Sequence, residues 1–148
     1  MPVITPADVI AQARDWRGVK FLHQGRTRMG CDCLGFVAGF MAELGSTVAL
    51  QFLPINYARA PGAQVLATLQ AVSREIPLQV AALVLIRWPQ TQDPSHAAIF
   101  TGSNLIHCTE GERKVVEHRY GEPWLRRTHS IWALPEVGYL PQGDTVSV

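Results

Sequence analysis

The chain has 148 residues, 47% of them hydrophobic and 17% charged, with a net charge of +1 when histidine is neutral. A chain of this size can bury one sizeable core. That excludes wholesale disorder and leaves little room for a second domain, so residues 1–148 are read as a single domain. The balanced charge lacks the basic excess of a dedicated nucleic-acid binder, and the longest apolar run, Val80 to Ile86, falls far short of the roughly 20 residues a bilayer span requires.

The N-terminus, Met1 to Pro6, has neither the basic start nor the long apolar stretch of a secretory signal. That predicts synthesis in the cytoplasm, with any export by another route. Thr5-Pro6-Ala7-Asp8 reads as a helix start: a hydroxyl cap, proline at the first helical position and an acid at the third. Val9, Ile10, Ala13 and Trp16 follow at helical spacing, and Gly18 ends the segment. Val19 to Gly30 reads as irregular. Asp32 caps a second helix, which puts Cys33 in its first turn; Leu34, Val37, Ala38, Met41 and Leu44 share one face and Gly45 closes it. Ser46 to Pro61 reads as loop. A third helix is predicted over Gly62 to Ser73, with Val65, Leu69 and Val72 toward the core.

After Pro77 the pattern changes. Ala82 to Ile86 is a wholly apolar run of strand length. Ser95 to Thr101 and Asn104 to Cys108 read as the two arms of a hairpin, with Gly102-Ser103 suited to a type II′ turn. Lys114 to His118 and Ser130 to Leu134 supply two further strands. Helices first and strands afterwards define an α+β domain, its helices packed on an antiparallel sheet of about five strands.

With three cysteines, Cys31, Cys33 and Cys108, at least one thiol is unpaired within the chain, and this is no disulfide scaffold. Cys33 is the one placed for chemistry. Unpaired N–H groups and partial positive charge at a helix start stabilise a thiolate, and a nearby imidazole completes the activation. The hairpin selects the histidine. A two-residue turn pairs Thr101 with Asn104, hence Ala98 with His107. His96 shares a face with Ala98, so His96 and His107 are diagonal neighbours, their Cβ atoms about 7–8 Å apart. A slip of one residue would separate them.

On this reading His96 is the base facing Cys33, and His107 orients it through the other ring nitrogen. The Cys33 N–H contributes to an oxyanion site, and Ala97 and Ala98 leave room for a helix end. Zinc held by Cys31, Cys33, His107 and Cys108 is the competing reading, but a second motif at ligand spacing is missing. No metal or organic cofactor is expected. Cys31 reads as a small buried residue or a redox partner of Cys33, and Cys108 as core. His23 either lines the cleft or is a solvated loop histidine. His118 and His129 read as surface residues, and Trp124 with Arg126 and Arg127 as a solvated edge.

Gly30-Cys31-Asp32-Cys33-Leu34-Gly35-Phe36-Val37 resembles the Asp-Cys-Ser-Gly nucleophile motif of the NlpC-type cell-wall cysteine peptidases, the NlpC/p-sixty superfamily. Ser95 to Gly102 is similar to that family's His-Val-Gly-Ile-Tyr-x-Gly strand, and Leu105-Ile106-His107-Cys108 to the strand bearing its third polar residue. Weaker likeness runs through Trp16-Arg17-Gly18 to His23-Gln24-Gly25, and through Val115-Val116-Glu117 to Pro123-Trp124-Leu125-Arg126-Arg127. Those outer features resemble the phage and gene-transfer-agent subgroup most. The likeness covers roughly Thr5 to Pro135.

The resemblance implies a papain-like fold and hydrolysis of peptidoglycan stem peptides, usually at the γ-D-glutamyl–diaminopimelate bond, with Asp32 and the ring of Phe21 near the stem's amine. It also implies a phage tail or prophage setting, with tail proteins as partners and the cell wall as the place of action. The chain departs from the pattern at three places: Leu34 stands for the family's Ser, Phe21 for a Tyr, and Ala81-Ala82 for a Gly-Asp pair. The main alternative is a structural tail-tip protein that binds wall or partners on the same fold with little or no turnover. An amidase or acyltransferase using the same nucleophile is a third reading.

Overall fold

The computed structural model describes residues 3–47, 63–89 and 92–139. Helix α1 spans Pro6–Asp15 behind a reciprocal capping box: Thr5 Oγ1 accepts from the Asp8 N–H and Asp8 Oδ2 from the Thr5 N–H, both at 3.0 Å. It buries Val9, Ile10 and Ala13, and Trp16 follows it into the core. The segment from Val19 to Gly30 is more ordered than its sequence suggests. Strands β1 (Arg26–Thr27) and β2 (Gly30–Cys31) close a small hairpin ahead of the second helix.

Helix α2, Cys33–Glu43, is the centre of the molecule. Every residue from Leu34 to Met41 is buried, so it is apolar all round rather than along one stripe. Two glycines permit this. A Cβ on Gly35 would lie 1.7 Å from the Gly25 carbonyl oxygen, and one on Gly39 would lie 2.3 Å from the Trp16 ring. Helix α3, Ala63–Val72, matches the expected span and buries Leu69, but Val72 is exposed because the chain leaves the core at the helix end. The Val65 side chain and nearly all of the expected loop from Ser46 to Pro61 lie outside the described residues.

Five strands then build an antiparallel sheet: β3 (Leu83–Ile86), β4 (His96–Phe100), β5 (Asn104–Thr109), β6 (Lys114–Arg119) and β7 (Thr128–Trp132), in the order β6-β5-β4-β3-β7. β7 starts two residues earlier than expected, directly after the short helix α4 (Trp124–Arg127), and Leu134 instead gives its N–H to the Tyr139 hydroxyl. The α+β class and the antiparallel sheet are as the sequence predicts. Ile99 pairs with Ile106 and Phe100 with Leu105, the register of a two-residue turn, and Gly102 takes the positive φ of +116° that a type II′ turn needs at its first position.

Alternation divides the sheet. Leu83, Leu85, Ala97, Ile99, Ile106 and Cys108 join the core formed with α1 and α2. Val84, Ile86, Ala98 and Leu105 form a second cluster, covered by Phe100, Tyr120, Trp124 and Ile131.

Candidate active site

Cys33 is the first residue of α2. Asp32 caps the helix through Oδ1, which accepts from the Gly35 N–H at 2.8 Å, while Oδ2 accepts from the Gln24 N–H at 2.8 Å. One carboxylate therefore fixes both the helix start and the loop before it. The Cys33 N–H lies in the first turn, where a helix offers no internal partner.

Cys33 and His96 line one cavity of about 80 Å³, together with Phe21, His23, Asp32, Leu34, Trp88, Ser95, Cys108, Thr109 and Glu110. Five of the six site positions singled out in the sequence thus share one wall-to-wall space. The sixth, His107, stands behind His96: the rings meet at 2.6 Å between His96 Nε2 and His107 Nδ1, across the diagonal that the hairpin register requires. His23 Nδ1 is 3.9 Å from Asp32 Oδ2.

The electrostatics differ from those of an isolated helix start. Burial, then the Asp32 carboxylate, push the Cys33 thiol up to about 12, and backbone N–H groups of Ala97 and Leu34 beside the sulfur offset this only in part. Burial, then His118, push His96 down to about 3; burial, then His96 and His118, push His107 down to about 2. The unliganded site therefore holds a neutral thiol beside neutral imidazoles. The helix-start effect on the thiol is outweighed by desolvation. Cys31 and Cys108 are both buried; Cys108 Sγ donates to the Cys31 carbonyl at 3.2 Å, and the hydrogen bond between the two thiols, with burial, pushes Cys31 upward. Cys108 joins the core as expected and also reaches the cavity wall.

Four residues of the site were not assigned to it by the sequence. His118 is no simple surface residue: its Nε2 lies 2.6 Å from His107 Nε2, and its Nδ1 is 2.9 Å from the Arg119 carbonyl oxygen. Trp124, expected at a solvated edge, packs edge-on against His107 at 5.0 Å between centroids and also contacts His118 and His96. Trp88 stacks on His96 at 5.2 Å with the planes 24° apart. Ser95 has a buried hydroxyl with no hydrogen-bond partner among the described residues, and it lines the same cavity. His129 is exposed, as expected, with Nδ1 2.8 Å from Ser130 Oγ. Among the described residues no group of three or more His, Cys, Asp or Glu side chains is arranged to hold a metal ion, and no helix is long and apolar enough to cross a membrane.

No protein-family model matches the sequence, and no curated protein matches it. Solved structures do match in fold. The chain resembles an NlpC/P60 family protein from Bacillus cereus with a TM-score of 0.67 at 20% identity, over 88% of this chain and 40% of that one. It resembles the NlpC/p60 domain of the peptidoglycan hydrolase SagA with a TM-score of 0.56 at 17% identity, over 87% of this chain and 98% of that one. Against the peptidoglycan hydrolase RipB from Mycobacterium tuberculosis the TM-score is 0.55 at 17% identity, over 87% and 63% of the two chains. The chain spans two fifths of the Bacillus protein. At such identities the likeness establishes the fold alone, that of the NlpC/P60 domains.

Proposed function

We propose that this NlpC/P60-fold chain is a cysteine peptidase that hydrolyses the stem peptides of bacterial peptidoglycan, with Cys33 as nucleophile, His96 as base and His107 as the residue that orients it. One observation carries the reading: Cys33 and His96 line the same cavity, and His96 is held through its far nitrogen by His107. In the first step the Cys33 thiol gives its proton to His96 as sulfur bonds to the scissile carbonyl carbon. The carbonyl π pair moves onto oxygen, which the Cys33 N–H stabilises. His96 then passes the proton to the leaving amine as the C–N bond breaks, and water activated by His96 releases the acyl group. Asp32, Phe21 and His23 form the wall that would meet the stem's amine end. The γ-D-glutamyl–diaminopimelate bond is the preferred target on the family resemblance, and a phage tail or prophage origin is the setting we assign on the same ground.

The neutral thiol gives weight to a second reading, a tail-tip or wall-binding protein with little turnover. Release of soluble fragments from purified peptidoglycan, with mass analysis of the products, separates the two. Cys33→Ala should abolish release while leaving the thermal unfolding midpoint within a few degrees of the parent. Wall binding without release by the parent chain would favour the structural role.

A further inference from the structure

The three histidines repeat one geometric step. His107 pairs with Val116 across β5 and β6, and His118 lies two residues further on. His118 is therefore diagonal to His107 as His107 is to His96, and the rings form a ladder across three strands. Its last rung is fixed. The Arg119 carbonyl can only accept, so His118 Nδ1 carries a proton. In the state with all three imidazoles neutral each ring has one N–H, so His118 Nε2 is then a bare acceptor and His107 must donate from Nε2. His107 Nδ1 is then bare, and His96 must donate from Nε2. That leaves His96 Nδ1 without a proton. Trp124 packs against all three rings, with centroids 6.3, 5.0 and 5.3 Å from His96, His107 and His118.

We infer that His118 is a positioning residue: anchored on the Arg119 carbonyl, it fixes the tautomers of His107 and His96 so that Nδ1 of His96 is the nitrogen open to the Cys33 proton. The catalytic consequence rests on the peptidase reading above; the tautomer assignment does not. Without the acceptor at His118, His107 gains by moving its proton to Nδ1. That proton would oppose the N–H at His96 Nε2, and relief would come from protonating His96 at Nδ1, the form unable to accept from the thiol. No proton travels along the ladder during turnover. The Cys33 proton stops on His96, and His107 and His118 keep theirs throughout.

The test uses the whole chain as His118→Ala and His118→Gln, with thermal melts as a control for folding. Nitrogen-15 ring shifts of His96 and His107 report which nitrogen is protonated, and iodoacetamide reports the reactivity of Cys33. In His118→Ala the inference expects His96 to gain Nδ1 protonation and alkylation of Cys33 to slow. Hydrolysis should show kcat reduced roughly ten- to a hundredfold with KM within about twofold, part of what a general base contributes. In His118→Gln the amide oxygen accepts from His107 Nε2, and tautomer and alkylation rate should return to those of the parent. His96 staying protonated at Nε2 in a folded His118→Ala overturns the inference, as does a folded His118→Gln with the altered tautomer. If His118→Ala does not fold, the glutamine variant alone decides. The shifts and the alkylation need no peptidoglycan, so a chain that orders its tautomers as stated yet releases no fragments would sink the peptidase reading and spare this one.

Discussion

The Cys33 arm and the histidine ladder are held in opposite ways. Cys33 is placed by backbone against backbone: the Gly25 carbonyl accepts from the Asp32 N–H at 3.3 Å and lies where any Cβ on Gly35 would have to go. The histidines are placed by side chain against side chain, through two ring contacts of 2.6 Å and a cover of Trp88 and Trp124. The first device has no slack, and its one charge, the Asp32 carboxylate, is held by two backbone N–H groups. The second is soft in geometry but sensitive to protons. The peptidase proposed above would need both, a sulfur that stays put and a base whose proton is free to leave.

The largest effect should come from the arm. Gly35→Ala puts a methyl group 1.7 Å from the Gly25 carbonyl oxygen, and neither the buried helix nor the backbone oxygen can swing aside. We expect a stability loss of roughly 3 kcal/mol or more in urea unfolding, beyond ordinary overpacking. His107→Asn, in the ladder, should cost far less stability while lowering kcat. A Gly35→Ala chain as stable as the parent would break the contrast at its stiff end.

The ladder should show itself in acid. His96 takes its proton near 6.5 when unfolded but at about 3 when folded, and His107 at about 2. Between those values the unfolded chain binds protons that the folded chain refuses. Stability is therefore full above about 6.5 and falls as pH drops below it. Glu43, lowered to about 2 from 4.5 first by its hydrogen bond to Arg28, enters only at lower pH. The interval from 6.5 to 4.5 thus belongs largely to the ladder. Unfolding midpoints measured across it should slope in the parent and flatten in a His96→Gln, His107→Gln chain. A flat parent would mean that the rings are not refused their protons.

How much of this was written in the sequence follows the same division. Asp32, Cys33 and the helix behind them are local, with a cap and an apolar period that need no knowledge of distant chain. The diagonal of His96 and His107 was legible because Gly102-Ser103 names its turn and so its register. The next rung was not. β5 and β6 are joined through residues 110–113, with Arg113 at a φ of +63°, and nothing in Glu110-Gly111-Glu112-Arg113 fixes that Thr109 pairs with Lys114. Without that pairing His118 is an unplaced surface histidine. Trp88 and Ser95 flank a connection that returns the chain from β3 to β4, and only the folded sheet brings one ring over His96 and the other hydroxyl into the cavity. The thiol was misjudged for a different reason: a helix-start argument counts nearby dipoles but not the water removed by burial.

Ser95 is where the two regions meet, and it offers the finest test of the contrast. It precedes β4, its N–H is spent on the Ile86 carbonyl at 2.9 Å, and its hydroxyl faces the cavity with no partner among the described residues. A buried hydroxyl left without a hydrogen bond costs free energy that a bound substrate would recover. Ser95→Ala should therefore act with opposite signs on the two states. The free chain should gain up to about 1 kcal/mol in unfolding, while KM for stem peptides should rise several-fold at nearly constant kcat, because only the bound state loses a contact. A fall in stability with KM unmoved would show the hydroxyl serving the fold, and the cavity would then end at Cys33 and His96.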